Sequence, residues 1–337
     1  MMKELIGKLQ RGEHLTRAEA KDAFGRIMAG AVDGPTLGAF LCALASKGEV
    51  VDELVGAAQA MRSAATRVRC DRPCMCTCGT GGDGISTFNV STTAAIIASA
   101  AGAVVAKHGN RTNTRVSGSA EVLASLGVNI EADVPVLERC LAECGLAFLY
   151  APRLHPAMKH AVPVRRAIRS RTIFNLLGPL CNPAGACRQV LGVSRPAHVQ
   201  LMAEALRELG AERAWVVHGG DGLCDLTITG PTHVAELADG KITTRSVRPA
   251  DAGLAEATLD ALIVASAEES AAAVGDILDG TGGPRRDHAL LNAAAALVVY
   301  GVTNDLRDGV ARAADAVDSG AARAALERLA RLTCASA

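Results

Sequence analysis

The sequence predicts an α/β protein, with a small all-helical N-terminal domain over residues 1–69 and a larger α/β domain over residues 70–337 whose central, mainly parallel sheet is flanked by helices. Three observations predict it. Residues 1 to about 68 carry only helical patterning. From about residue 74, short β-leaning stretches alternate with helical ones, the order that feeds parallel strands through helical crossovers. The composition is 49% apolar but only 2% aromatic, and alanine fills much of the difference, which suits helices packed closely on a sheet. At 337 residues the chain can bury a substantial core.

Each element has a local reason. "HLTRAEAKDAFGRIMAG", "DGPTLGAFLCALASKG" and "VVDELVGAAQAMRSAATRV" are separate helical segments with Thr or Asp near their starts and Gly near their ends. The strand candidates are "CMCTC", "AVVAK", "LAFLY", "RQVLGV", "RAWVVHG" and "HVAEL", and helices are expected over 91–101, 119–126 and 196–209. A segment near 166–184 is expected to join the helical domain. The last third returns to alanine-rich amphipathic helices.

Charge narrows the partners. Lys+Arg and Asp+Glu number 35 each, so no bulk field draws the chain to nucleic acid or an anionic membrane, and any anion must be held locally. The start "MMKELIGKLQRGEHLT" lacks a hydrophobic signal core and no apolar run reaches membrane-spanning length, so the expected location is the cytoplasm. In that reducing compartment the eleven cysteines are expected as thiols. Cys70, Cys74, Cys76 and Cys78 form the densest group. The last three alternate, which on a strand puts them on one buried face, and no second pair follows to complete a zinc site.

Three stretches carry chemistry. In "CGTGGDGISTFNVSTT", Cys78 to Thr93, a strand runs into a glycine turn and then a helix, so backbone N–H groups and a positive helix end converge where an anion could lie. The ordinary alternative is a strand-to-helix turn with Ser91 as N-cap. The stretch is neither a P-loop nor a dinucleotide fingerprint. Downstream, "KHGNRTNTR" places Lys107, His108, Asn110, Arg111 and Arg115 in a loop after an apolar strand, suited to a polyanion. Then Arg165, Arg166, Arg169 and Arg171 precede an apolar, proline-bounded segment.

Taken together, "GTGGDGISTFNVST", "KHGN" followed by "SGSAEVL", "LHPAMKH", "PVRR", "RTIFNLLGPLCNPAG", "QVLGV" and "VVHGGDGL" resemble the anthranilate phosphoribosyltransferase family, in order from about residue 5 to 320. The resemblance implies a helical domain joined to an α/β domain, an active site between them, and a homodimer through the helical part. It implies phosphoribosyl pyrophosphate as donor with one or two Mg²⁺ ions, and anthranilate as acceptor. For the donor it points to Gly79, Gly82, Asp83 and Thr87, to the run Asn89, Val90, Ser91 and Thr92, and to a second loop of Lys107, His108, Gly109, Asn110, Arg111, Thr114 and Arg115, with Ser119. For the acceptor it points to Gly79, Asn110 and Arg165, with His155 and Met158 lining the approach. Ser91 matches a magnesium ligand. No acid or base of the usual kind is implied; Lys107 would stabilise charge on the departing pyrophosphate, and Arg165 would pair with the acceptor's carboxylate.

Two positions depart from the family pattern. Where relatives read Asp-Glu after "DGL", this chain has Cys224 and Asp225, which replaces a carboxylate by a thiol and puts a second metal site in question. Arg115 stands where a small hydroxyl residue is usual, beside the expected pyrophosphate, and is expected to take over part of the lost metal charge. A relative with another acceptor, or a nucleoside phosphorylase, is the alternative the altered metal motif leaves open; an inactive nucleic-acid-binding relative is disfavoured by zero net charge.

Overall fold

The computed structural model describes residues 1–111 and 116–335. The first helices are α1 (Met2–Gln10), α2 (Arg17–Met28), α3 (Gly34–Lys47) and α4 (Val51–Ser63). Their boundaries follow from capping. Thr16 and Glu19 form a reciprocal capping box at α2, and Asp33 accepts from Thr36 N at 2.9 Å at α3. Glu53, on α4, is fully buried yet satisfied: it accepts from Leu15 N at 2.9 Å, from Val50 N at 3.0 Å and from Lys47 Nζ at 2.9 Å. A buried ion pair holds only when its remaining donors and acceptors are used in this way.

Next come β1 (Met75–Gly79), α5 (Val90–Ala100), β2 (Val105–Gly109), α6 (Ser119–Ser125), α7 (Val134–Glu143) and β3 (Leu146–Tyr150). After these follow α8 (Ala151–Leu154), α9 (Val162–Ile168), α10 (Phe174–Leu180), β4 (Arg188–Gly192), α11 (Ala197–Glu208), β5 (Arg213–Gly219), β6 (Thr232–Ala238) and β7 (Lys241–Val247). The chain closes with α12 (Ala267–Leu278), α13 (Pro284–Tyr300), α14 (Leu306–Asp318) and α15 (Ala321–Cys334). The strands form one seven-stranded sheet in the order β3-β2-β1-β4-β5-β6-β7. The first five run parallel, whereas β5, β6 and β7 pair antiparallel. β7 is absent from the sequence reading because "KITTRSV" is an exposed edge whose Lys241 and Arg245 break the apolar pattern.

Two cores divide the sheet's faces. The larger packs α5, α13 and α15 against residues such as Val105, Val190 and Val217. The second joins α1–α4 to α10, α11 and the alternate strand residues Leu191, Val193, Ala214 and Val216. Two local expectations change. The N-cap of α5 is Asn89, whose side chain accepts from Thr92 N at 3.3 Å, so Ser91 sits inside the first turn with its hydroxyl released from capping. Of the alternating cysteines, only Cys76 and Cys78 share a strand face. β1 begins at Met75, and Cys74, just before it, packs into the larger core, as Cys70 does at that core's margin.

The strand order places a topological switch at β1, from which the chain moves first to β2 and β3 and later to β4 and β5 on the other side. Ligands of open α/β sheets bind in the crevice beyond the strand ends at such a point. Here that crevice opens between Gly79 and Gly192, register partners at the ends of β1 and β4.

Among the described residues other than glycine, Arg169 and Asp239 have positive φ, and of the two only Asp is of a type that tolerates it readily. Arg169, which ends α9, adopts φ 53° and ψ 21°, a left-handed conformation that glycine takes at no steric cost. Arg169→Gly is expected to stabilise the fold by about 0.5–1 kcal/mol, read as a rise in urea midpoint at constant slope; an unchanged or lower midpoint contradicts this.

Candidate active site

The loop after β1 is built on glycines that make room for other parts of the chain. At Gly82, with φ +80°, a Cβ would strike the Arg171 guanidinium, which donates through Nη1 to the Gly81 carbonyl at 2.9 Å. At Gly192 a Cβ would fall inside the Cys224 carbonyl, so glycine lets the 221–226 loop lie directly on the strand end. That loop is pinned three ways. Asp83 accepts from Cys224 N at 3.1 Å. Asn292, on α13, accepts from Leu226 N at 3.0 Å and donates to Leu226 O at 2.9 Å. Asp221 accepts from Leu223 N at 3.1 Å and from the Thr227 and Thr229 hydroxyls, which commits it to the turn itself.

Ser91, Cys224, Asp225 and Asn292 consequently line one cavity of about 10 Å³, together with Thr77, whose hydroxyl donates to the Ser91 carbonyl at 2.7 Å. That is room for a single small guest. The Ser91 hydroxyl and the Asp225 carboxylate are hard oxygen donors and fit a Mg²⁺ ion, which characteristically takes one or two protein oxygens and completes its shell with substrate oxygens and water. The Cys224 thiol, soft and ordinarily neutral, does not fit a hard cation. Among the described residues no three His, Cys, Asp or Glu side chains gather into a metal cage.

Two cations, one buried and one half-buried, stand on β2 and α9. Lys107 is 3% exposed and, among the described residues, pairs with no carboxylate. Arg165 lies over the Phe174 ring at 5.3 Å, with burial pulling its pKa down, and it too lacks a carboxylate among the described residues. A guanidinium stays charged at any physiological pH, so Arg165 holds positive charge in reserve.

The remaining expected residues divide between the two sides and the interior. His108 and His155 pack ring to ring with centroids 5.1 Å apart, and His108 Nδ1 meets the Gly178 carbonyl at 3.2 Å. The Nε2 atoms of both are buried without a partner among the described residues. Met158 packs against the margin of the second core, as do Ala157, Val164 and Cys78. The Asn110 carbonyl accepts from Ser119 Oγ at 3.3 Å, and at Gly109 a Cβ would collide with Ser119 Oγ and the Phe148 ring. Arg111 is turned away, donating to the Tyr150 hydroxyl at 3.0 Å. Thr87, Val90 and Thr92 are buried in the interior. Thr114 and Arg115 lie outside the described residues.

Arg171 and Asn292 complete the site and were not singled out in the sequence. Arg171 is one of four arginines in seven residues, indistinguishable there from its neighbours. Asn292 had a readable signal, a lone amide in the apolar helix "HALLNAAAALVVY".

Comparisons with known proteins agree with this architecture. Residues 3–65 match the helical bundle domain of the glycosyl transferase family, and residues 71–323 its a/b domain. The fold and site therefore define a two-domain glycosyl transferase. Anthranilate phosphoribosyltransferase of Anaeromyxobacter sp. (strain K) is 52% identical over 99% of both chains. The crystal structure of the Thermus thermophilus enzyme of that name superposes with a TM-score of 0.93 at 42% identity, covering 98% of this chain and 99% of that one. The Saccharomyces cerevisiae enzyme, solved in complex with PRPP and Mg, gives a TM-score of 0.91 at 26% identity over 98% and 97% of the two chains. The chain belongs to the anthranilate phosphoribosyltransferase family.

The buried imidazoles set a pH dependence. Burial, then mutual repulsion with His155, takes His108 down to about 3; burial takes His155 and the fully buried His288 to about 4. All three are neutral in the fold, whereas the unfolded chain protonates them near 6.5. Above that pH they leave stability unchanged; below it the unfolded state binds more protons, and stability falls until the folded values are reached. Urea titrations should show a loss of about 1–2 kcal/mol per histidine between pH 7 and pH 5. His288→Leu should flatten that slope whatever it does to stability at pH 7; an unaltered slope contradicts the assignment.

Proposed function

We propose that this protein transfers the 5-phosphoribosyl group from phosphoribosyl pyrophosphate to the amine of anthranilate, releasing pyrophosphate, as a step of tryptophan biosynthesis. The observation that carries this reading is a pair of cations held without carboxylates among the described residues, Lys107 on β2, next to β1 at the sheet's switch point, and Arg165 on α9. One suits the pyrophosphate of the donor and the other the carboxylate of the acceptor.

The chain contributes position and charge rather than covalent chemistry. Pyrophosphate departs from the anomeric carbon, positive charge grows on the ribose, and the neutral aromatic amine attacks from the opposite face. Lys107 and the N–H groups of the first turn of α5, capped by Asn89, stabilise the departing negative charge. Gly79, Gly82 and Asp83 shape the bed on which the donor lies, and the Ser119 hydroxyl fixes the backbone at Asn110 by donating to its carbonyl. Arg165 grips the acceptor carboxylate in bidentate fashion, Asn110 orients the amine, and neutral His108 and His155, with Met158, wall the approach. Mg²⁺ held through Ser91 and Asp225 would neutralise charge on the leaving group. No strong base has to act before the attack, because the amine is already neutral.

The same reading divides the chain into a helical domain, residues 1–69 with the segment near 166–184, and an α/β domain, residues 70–337. Its support is that Ile173, Phe174, Leu176 and Leu177 share a core with α1–α4. It also carries a homodimer through the helical domain and a cytoplasmic location. Among the described residues no helix is long and apolar enough to cross a membrane.

Mixing the protein with phosphoribosyl pyrophosphate, Mg²⁺ and anthranilate should quench anthranilate fluorescence; no loss of signal across a Mg²⁺ titration defeats the reading. Arg165→Lys, which keeps charge but loses the planar fork, should lower kcat/KM for anthranilate on the order of 10–100-fold, mainly through KM. Cys224→Asp should reduce the Mg²⁺ needed for half-maximal rate several-fold, about the effect of restoring one carboxylate; an unchanged requirement removes position 224 from the metal.

A further inference from the structure

We propose that Cys76 and Cys78 form a dithiol site for a thiophilic trivalent metalloid of the arsenite class, seated at the C-terminal end of β1 on the acceptor side of the active site. The pair occupies alternate positions of one strand, so both thiols lie on one face, and they are hydrogen-bonded to each other. Neither sulfur is tied up as a donor to the backbone. Cys76 Sγ accepts from His108 N at 3.4 Å, and Cys78 Sγ accepts from Gln189 Nε2 at 3.0 Å. The hydrogen bond from Cys78, the Lys107 charge and the His108 N–H together bring Cys76 down to about 7, while that same bond and burial hold Cys78 well above the ordinary thiol value, so Cys76 is the sulfur that attacks first. Thiolate is the form that binds soft elements.

The other close thiol pair is bonded differently: Cys144, beside Cys140, donates to the backbone carbonyls of Cys140 at 3.0 Å and Leu146 at 3.2 Å. Cys76 is buried, whereas Cys78 is only partly buried at the margin of the second core, so Cys78 is the thiol that an incoming ligand meets first. Both Cys76 and Cys78 are thiols, joined to no other cysteine. Residues two apart on a strand have Cα atoms roughly 6.6 Å apart, at the upper limit for a disulfide. Direct S–S closure is therefore disfavoured, while an interposed atom can bridge the two sulfurs.

The chemistry balances without an oxidant. Arsenite, As(OH)₃, exchanges two As–O bonds for two As–S bonds to Cys76 and Cys78. The two thiol protons leave with the two hydroxides as water, and arsenic stays trivalent. The product places a polar As–OH group beside the acceptor wall and shifts the His108 N–H from its sulfur, so acceptor binding is expected to weaken.

The test uses the full-length reduced protein titrated with arsenite at pH 7.5, with bound equivalents counted by native mass spectrometry. The parent should carry one equivalent that survives excess glutathione and is removed by 2,3-dimercaptopropanol. Cys78→Ser should lose that equivalent, with apparent affinity falling about 100-fold or more as a chelate becomes a single bond. Cys70→Ser and Cys144→Ser should keep it. Cys78→Val, matched for packing, serves if the serine variant does not fold. Retention of the glutathione-resistant equivalent by the folded Cys78 variant, or its loss from Cys70→Ser or Cys144→Ser, overturns the proposal. The adduct is read by mass, so it stands or falls apart from the transferase reading; only the accompanying rise in KM for anthranilate rests on that reading.

Discussion

The site depends on a close approach of backbone to backbone. Gly79 and Gly192 face each other at the ends of β1 and β4, and the Cys224 peptide lies against both. A side chain at Gly192 would lift the 221–226 loop off the sheet. With it would go the Asp83 contact to Cys224 N and the shared cavity of Ser91 and Asp225. The 79–84 and 221–226 loops are far apart in sequence, and this contact makes them one object. Asn292 braces the loop from behind and Arg171 braces the glycine turn from the side.

Charge is handled in two ways within the same chain. In the helical bundle, Lys47 and Glu53 are both buried, mutually paired and fully hydrogen-bonded, as a structural ion pair must be. In the α/β part and on α9, Lys107 and Arg165 are desolvated and held without carboxylates among the described residues. A buried cation without a counter-ion raises the energy of the free protein and strengthens its attraction for an anion. With a net charge of zero, this local asymmetry supplies what bulk attraction does not.

Much of this was legible in the sequence because it is encoded locally. The caps at Thr16 and Asp33, the strand candidates that became β1 to β6, and the ordered run of glycine, cation and arginine motifs each reside within a few residues. What escaped was decided at a distance or by competition between neighbours. Both Asn89 and Ser91 can cap a helix, and the helix starts after the first, whose side chain accepts from Thr92 N. Edge strand β7 shows solvent most of its residues and so lacks a pattern. The roles of Arg171 and Asn292 depend on loops that approach them from 90 and 66 residues away. The thiol pair showed its spacing in the sequence, but its hydrogen bonds to His108 and Gln189 come from neighbouring strands.

The second core has a consequence for how the molecule is made. The side of the helical bundle that includes α4 is covered by α10 and α11 and belongs to one core with strand residues from Leu191 to Leu237. The bundle leaves the ribosome first, yet its cover is synthesised more than a hundred residues later. During that interval an apolar surface stands open on a partly finished chain, the condition under which nascent proteins aggregate or engage chaperones. Completion of the bundle is thus a late event of synthesis, set by the arrival of β4 and α11 and not by the helices themselves.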